Sequence, residues 1–304
     1  MKGTRYLLIS SCRNESAYIE GLIDAIAAQT IQPLRWVVVD DGSSDDTYAR
    51  CIAKARSLPF LHVVKMPGGR PRNFSSKVFA LQYACETVAD TEAEFIGVID
   101  ADIRIDPSYY EQLINLMGSD TRLGLGGATV IEHSHNVALN TRKGSEDFHV
   151  PGWVQFFRRK CFEQIGGFVP IDAGGEDTIA EVMAMMHGWK VRAFPELTAL
   201  HLRPEGVGGA NVLMRGMRWG RRFYLLGYHP LFYFCHCLRR WNHRPFLIGS
   251  YCQLLGFLVA ALNGEHRPVS SAFVRFQRQI QMRRLRDALV PWPPAAKQGW
   301  NTAE

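Results

Sequence analysis

Four short apolar runs recur at near-even intervals in the first hundred residues: Tyr6-Leu7-Leu8-Ile9-Ser10, Trp36-Val37-Val38-Val39, Leu61-His62-Val63-Val64 and Phe95 to Ile99. Each reads as a strand. Between them the period changes. Tyr18 to Gln29 carries Ile19, Leu22, Ile23 and Ile26 at helical spacing, Asp45-Asp46-Thr47 opens a second helix, and Ser75-Ser76 starts a third that continues through Val88. The early acids of the second helix suit the positive end of its backbone dipole. Strand and helix alternating at this cadence restrict the chain to a mostly parallel sheet wrapped by helices, the first half of a doubly wound α/β domain. From Gly124 to about Val169 the pattern loosens. Gly126-Gly127, Gly152 and Gly166-Gly167 read as breaks, predicting short mixed strands and an active-site loop around residues 132–150.

The strand ends carry the candidate chemistry. Ile96-Gly97-Val98-Ile99 runs directly into Asp100-Ala101-Asp102. An unpaired buried carboxylate is strongly disfavoured, so two of them do not belong in a core. At the mouth of a parallel sheet, where α/β ligands bind, such a pair can hold a divalent cation, and the cation can clamp a diphosphate. A solvated strand-end turn is the plain alternative. Asp40-Asp41-Gly42-Ser43 closes the second strand in the same way. A carboxylate there can accept from a base N–H or a ribose hydroxyl, or Asp41 and Gly42 can serve a turn. Arg70, Arg72 and Lys77 precede the fourth strand, suited either to a diphosphate or to a solvated basic loop.

The net charge of +6 conceals an asymmetry. Residues 201–304 hold 15 Lys and Arg against 4 Asp and Glu, which leaves 20 against 25 for the rest. A basic final third calls for an anionic partner such as a membrane surface or a phosphorylated substrate. Nucleic acid fits poorly, because the aromatics lie in long uncharged runs rather than among the charges. The seven scattered cysteines contain no Cys-x-x-Cys pair and read as reduced thiols of a cytoplasmic protein. Cys235-His236-Cys237 allows partial metal ligation or simple packing. No secretory apolar region is expected at the N-terminus.

Val39-Asp40-Asp41-Gly42-Ser43 with Asp45 and Thr47, then Asp100-Ala101-Asp102, Gly166-Gly167-Phe168 and Gly175-Glu176-Asp177 together resemble glycosyltransferase family 2. The likeness extends over residues 4–203. It implies an inverting enzyme with the nucleotide-diphospho-sugar transferase A-type fold. The implied reaction uses Mn2+ or Mg2+ and moves a hexose from a nucleotide-diphosphate sugar to an acceptor. By the same resemblance Asp40 contacts the nucleotide and the backbone around Ser10 and Cys12 touches the base; for Lys77 a donor contact follows from its positive charge, with the solvated loop as the alternative. Glu15 either reaches the nucleotide or is a first-turn helix acid. Asp102 is the direct metal ligand, Asp100 serves the ribose or the metal, and His201 adds a nitrogen ligand or touches the diphosphate. Inverting transfer needs a base for the acceptor hydroxyl. The resemblance gives that role to Asp177, with Glu176 supporting the acceptor.

Arg215-Gly216-Met217-Arg218-Trp219 resembles the Gln-x-x-Arg-Trp motif of processive members, with Arg215 in place of Gln. Arg218 and Trp219 then line the acceptor side, or belong to a membrane-facing helix. Residues 245–264 and 223–238 carry no charge and are flanked by arginines. They suit interfacial attachment or a shallow hairpin better than a full crossing, with a buried helical subdomain as the remaining reading. Val274 to Leu289 is a basic helix suited to anionic lipid, and the chain after Pro291 is expected to be disordered. The expected organisation is a catalytic domain over 1–203, a helical acceptor- or membrane-associating region over 204–290 and a tail over 291–304. The expected acceptor is a saccharide or a polyprenyl-diphosphate-linked sugar of cell-surface polysaccharide synthesis, at the inner face of the plasma membrane. A non-catalytic nucleotide-sugar sensor or scaffold is the alternative.

Overall fold

A computed structural model describes residues 5–67, 74–134, 137–139, 149–203, 212–240 and 247–289. Arg70, Arg72, most of the loop expected around 132–150 and the tail from residue 291 lie outside the described residues. The chain forms two compact units, Met1–Asp172 with Glu176–Val207, and Ala173–Gly175 with Gly208–Glu304.

The first unit runs β1 (Tyr6–Cys12), α1 (Ile19–Ala27), β2 (Arg35–Asp40), α2 (Thr47–Ala55), β3 (Leu61–Lys65), α3 (Phe74–Thr87), β4 (Phe95–Val98), β5 (Ile103–Ile105), α4 (Tyr109–Ser119), β6 (Leu123–Ser134), β7 (Val137–Leu139), β8 (Phe156–Arg158), α5 (Arg159–Gln164), α6 (Glu176–Met186) and β9 (Lys190–His201). Among the described residues the sheet order is β3-β2-β1-β4-β8-β6-β9-β5, with β7 on β6. Side chains alternate between the two faces, and the central strands β1, β2 and β4 are buried almost throughout, as a sheet covered on both faces requires. Tyr6 and Leu8 join Trp36, Val38 and Phe95 on one face, over α1 and α4. Leu7 and Ile9 join Val37, Val39 and Ile96 on the other, over α3, α5 and α6. That two-sided burial is why these strands read as continuous apolar runs.

The strand order is parallel from β3 to β4, as the alternation of strand and helix predicts, and β8 enters antiparallel between β4 and β6, among the short mixed strands expected after Gly124. Two features depart from the sequence reading. β1 continues past the apolar run of residues 6–10 through Ser11 and Cys12, because both residues still pair with β2. Gly126 and Gly127 do not break the chain; they lie inside the long strand β6. A side chain on Gly126 would meet Met117 and Phe194, and one on Gly127 would meet Val150 and the Val154 carbonyl. Close packing, not a turn, explains these two glycines. Pro195 is tolerated within β9 because the register with β6 jumps from Phe194 to Thr198, leaving the proline in a bulge.

The second unit contains α7 (Val212–Leu225), α8 (Pro230–Arg239), α9 (Ile248–Leu262) and α10 (Ser271–Leu289). Its core is aromatic: Tyr233 stacks on Phe257 at 4.8 Å, and Tyr224 meets Phe257 edge-on at 5.7 Å. The uncharged run 223–238 is split by Gly227, with φ of +75°, and by Pro230, which starts α8 behind a His229 cap. Among the described residues no helix is long and apolar enough to cross a membrane. At 1.5 Å per residue α9 extends about 22 Å, against the ~30 Å hydrocarbon core of a bilayer.

Candidate active site

The carboxyl ends of β1, β2 and β4 lie side by side, so the residues just after them share one edge of the sheet. Asp100 follows β4, and its N–H donates to the Trp153 carbonyl at 3.2 Å. Its carboxylate accepts from Lys77 Nζ at 2.7 Å. Burial opposes the Lys77 charge. Asp100, Glu176 and Asp177 more than offset that, holding the ammonium above its ordinary range. The two acids of α6 are thus close enough to Lys77 for their charges to be felt. The remaining Asp100 oxygen, Oδ1, is buried without a hydrogen-bond partner among the described residues.

Asp102 is placed by a different strand pair. β5 runs antiparallel to β9 with Ile103 opposite His201, and the Leu202 N–H donates to the Asp102 carbonyl at 2.9 Å. This register brings His201 Nε2 to 3.3 Å from Asp102 Oδ2. His201 is only 5% exposed. Its ring lies flat on Trp153, with centroids 4.3 Å apart and planes at 14°. Burial would raise the Asp102 carboxyl, but His201 and Arg203 outweigh it and hold the group below the usual carboxylate range.

Arg203 was not singled out in the sequence. Its guanidinium pairs with Glu15 and lies 3.5 Å from Asp102 Oδ2, with Tyr18 beneath it at 5.0 Å. Glu15 is thereby tied to the same cluster as Asp102, and burial raises its carboxyl despite Arg203. The missed signal was proximity in sequence to His201, which no local pattern marks.

Asp40 ends β2, 3% exposed, with Oδ2 accepting from the Ser43 N–H at 3.3 Å and Oδ1 unpartnered among the described residues. Asp41 pairs with Arg13 at 3.6 Å. The Ser10 hydroxyl donates to the Ile99 carbonyl at 2.6 Å and accepts from Trp36 Nε1 at 3.0 Å. Its side chain is engaged inside the sheet, so a base could meet only the backbone there.

Asp177 stands in the first turn of α6, where its Oδ1 accepts from the Thr178 N–H at 2.7 Å. Residues 149–155 brace it. Gly152 packs so closely that a side chain there would stand 3.0 Å from the Asp177 Cβ. Gln155 Nε2 donates to the carbonyls of Val150 and Asp177. One turn further along, buried Glu181 accepts from the Val150 N–H at 2.7 Å and faces His149 at 3.1 Å. Burial raises the Glu181 carboxyl, with His149 opposing it. The same short segment therefore touches Asp177 through Gly152 and His201 through Trp153.

Arg218 and Trp219 belong to the second unit, on α7. Arg218 is exposed, and the Trp219 ring faces the Arg222 guanidinium at 5.4 Å. All seven cysteines are free. His236 stacks with Tyr233, supporting packing for the Cys235–Cys237 stretch. Among the described residues no cluster of three or more His, Cys, Asp or Glu could hold a metal.

The family model for glycosyl transferase family 2 matches residues 8–175, more than half of the chain. The chain belongs to that family. It is therefore a glycosyltransferase. No curated protein matches it. Among solved structures, mannosyltransferase PcManGT from Pyrobaculum calidifontis, in complex with GDP-Man and Mn2+, has a TM-score of 0.57 at 18% identity, covering 95% of this chain and 82% of that one. S. aureus TarS 1-349 in complex with UDP-GlcNAc has a TM-score of 0.55 at 15% identity, covering 86% and 73%. At such identities the likeness is one of fold. The glycosyltransferase has an A-type fold, as the sequence motifs implied.

Proposed function

We propose that this glycosyltransferase moves a hexose from a nucleotide-diphosphate sugar with inversion, using Mn2+ or Mg2+. The observation that carries the reading is the meeting of Asp102 with His201 beside the Lys77–Asp100 pair and the acids of α6. The donor set suits such a cation: a carboxylate oxygen faces an imidazole nitrogen, with a further buried carboxylate oxygen of Asp100 unsatisfied nearby. Asp102 and His201 would hold it, and Asp100 would support it. Two protein ligands are enough where phosphate oxygens and water complete the shell. When bound, the ion supplies Lewis-acid stabilisation of negative charge on the diphosphate. GDP-Man and Mn2+ in PcManGT, and UDP-GlcNAc in TarS, are consistent with a donor of this class.

The chain's own residues do the remaining work. Asp40 accepts from the nucleotide. Lys77 and Arg203 place positive charge where the diphosphate departs. Asp177 takes the proton of the acceptor hydroxyl as its oxygen attacks the anomeric carbon. The bond from that carbon to the diphosphate breaks on the opposite face, and the diphosphate leaves with the electron pair. Glu176 orients the acceptor, with Arg218 and Trp219 assigned to the acceptor as well. The acceptor assigned is a saccharide or polyprenyl-diphosphate-linked sugar of cell-surface polysaccharide synthesis, met at the inner face of the plasma membrane. The arginine-rich, aromatic second unit supports that placement.

The test is Asp177→Asn. Turnover should fall by roughly 10²–10⁴-fold while donor affinity is retained. Unchanged turnover removes Asp177 from the mechanism.

A further inference from the structure

Helix α9 is packed inside out. Its buried residues are Cys252, Gly256, Phe257 and Ala260, three of them small. Its large side chains point away: Tyr251 is 65% exposed, Leu258 54% and Leu262 86%, with Leu255 on the same stripe. The cause is the closeness of α7. A side chain on Gly220 would collide with the Gln253 carbonyl, one on Gly256 with the Met217 backbone, and one on Gly216 would stand 2.7 Å from Cys252 Cβ. Small residues let two helix backbones approach in this way where water does not drive large side chains inward. A helix surrounded by water does the reverse.

Helix α8 adds to the exposed surface. Leu231, Phe234 and Leu238 follow one another at helical spacing and are about half exposed. Among the described residues, all but one of the exposed large hydrophobics, Leu34, fall in this unit. The charges there are equally one-sided. α9 carries none, every described Lys or Arg of the unit is an arginine, and Glu265 and Asp287 are its only described acids. Arg239 and Arg240 lie exposed directly after Leu238. Apolar stripes beside a surplus of arginine complement an anionic head-group layer, with acyl chains below it.

We propose that the outward stripes of α9 and α8 are the surface on which the protein seats on an anionic lipid bilayer, with α9 lying in the interface and Arg239 and Arg240 among the phosphates. This deepens the membrane part of the function proposed above and rests on it.

The test is flotation of the full chain with vesicles of phosphatidylcholine alone and of phosphatidylcholine with phosphatidylglycerol. Flotation is expected with the anionic vesicles. It should be lost in Leu255→Glu/Leu258→Glu and weakened roughly fivefold per arginine in Arg239→Ala/Arg240→Ala. Donor hydrolysis in solution and the thermal midpoint of the leucine variant should match the parent, which separates lost seating from lost folding. Undiminished flotation of the leucine variant, or no flotation of the parent, overturns the proposal. So does a dimer in sedimentation velocity that the leucine substitutions dissolve without any vesicle binding, since a second copy would then cover the face. Metal-dependent donor hydrolysis is scored separately, so failure of the catalytic reading leaves the flotation result to stand or fall alone.

Discussion

His201 Nε2 meets Asp102 Oδ2 at 3.3 Å across two antiparallel strands, and Trp153 stacks on the face of the imidazole. If this pair holds the cation, His201→Ala should weaken Mn2+ binding at least as much as the roughly 10–100-fold that outer partners of metal sites carry. Titration calorimetry without donor reads this directly. Trp153→Ala should produce a smaller loss of the same sign, because it frees the ring without removing the nitrogen.

Arg203 predicts the opposite direction. Its guanidinium lies 3.5 Å from the same Asp102 oxygen and competes with a cation for it. Arg203→Ala should tighten Mn2+ binding without donor by up to about fivefold, the worth of a partly exposed ion pair. Donor affinity should fall in the same variant, since a cation is removed from the diphosphate side. Weaker Mn2+ binding would count against competition.

Glu181 separates positioning from chemistry. Glu181→Ala leaves the Val150 N–H without its acceptor, which costs about 1–3 kcal/mol, and loosens the segment that presses on Asp177. The expected signature is a lower kcat with donor KM unchanged. Glu181→Gln keeps an acceptor oxygen and should recover much of both stability and kcat. Equal kcat in all three proteins would show that the brace does not reach the base.

Acid stability should depend on Asp120. Its carboxylate accepts from Lys190 Nζ at 2.8 Å and from the Arg122 N–H at 2.9 Å, and these bonds pull its pKa down to about 2. A depressed acid stabilises the fold fully above its unfolded value near 4, and that contribution is lost as pH falls towards 2. The side chain is partly exposed, so the effect at neutral pH should be about 1 kcal/mol or less. In urea unfolding, Asp120→Asn should be less stable than the parent at pH 7, and the two should converge near pH 2.

Much of the first unit was legible because its signals are local. The four apolar runs became β1 to β4, and the helices between them began within a residue or two of the expected positions. The acids at strand ends were legible for the same reason: a charge directly after a buried strand must sit at the rim. Glycine misled where its role was tertiary. Gly126 and Gly127 look like breaks in sequence and are close-packed strand positions in space. The run 223–238 looked continuous because its hydrophobicity is continuous, while Gly227 and Pro230 divide it into two helices.

Over the first hundred residues, sequence alone determined the order of strands and helices and which residues stand at strand ends, since period, chain reversal and charge are properties of neighbours along the chain. It also carried the family motifs. Tertiary structure decided which of those residues meet. Asp102 finds His201 only through the β5–β9 register, Arg203 joins Glu15 to Asp102 only once that register is set, and Glu181 reaches Val150 only when residues 149–155 lie against α6. Such contacts depend on strand pairing and close packing between distant segments, which no local pattern of side chains records.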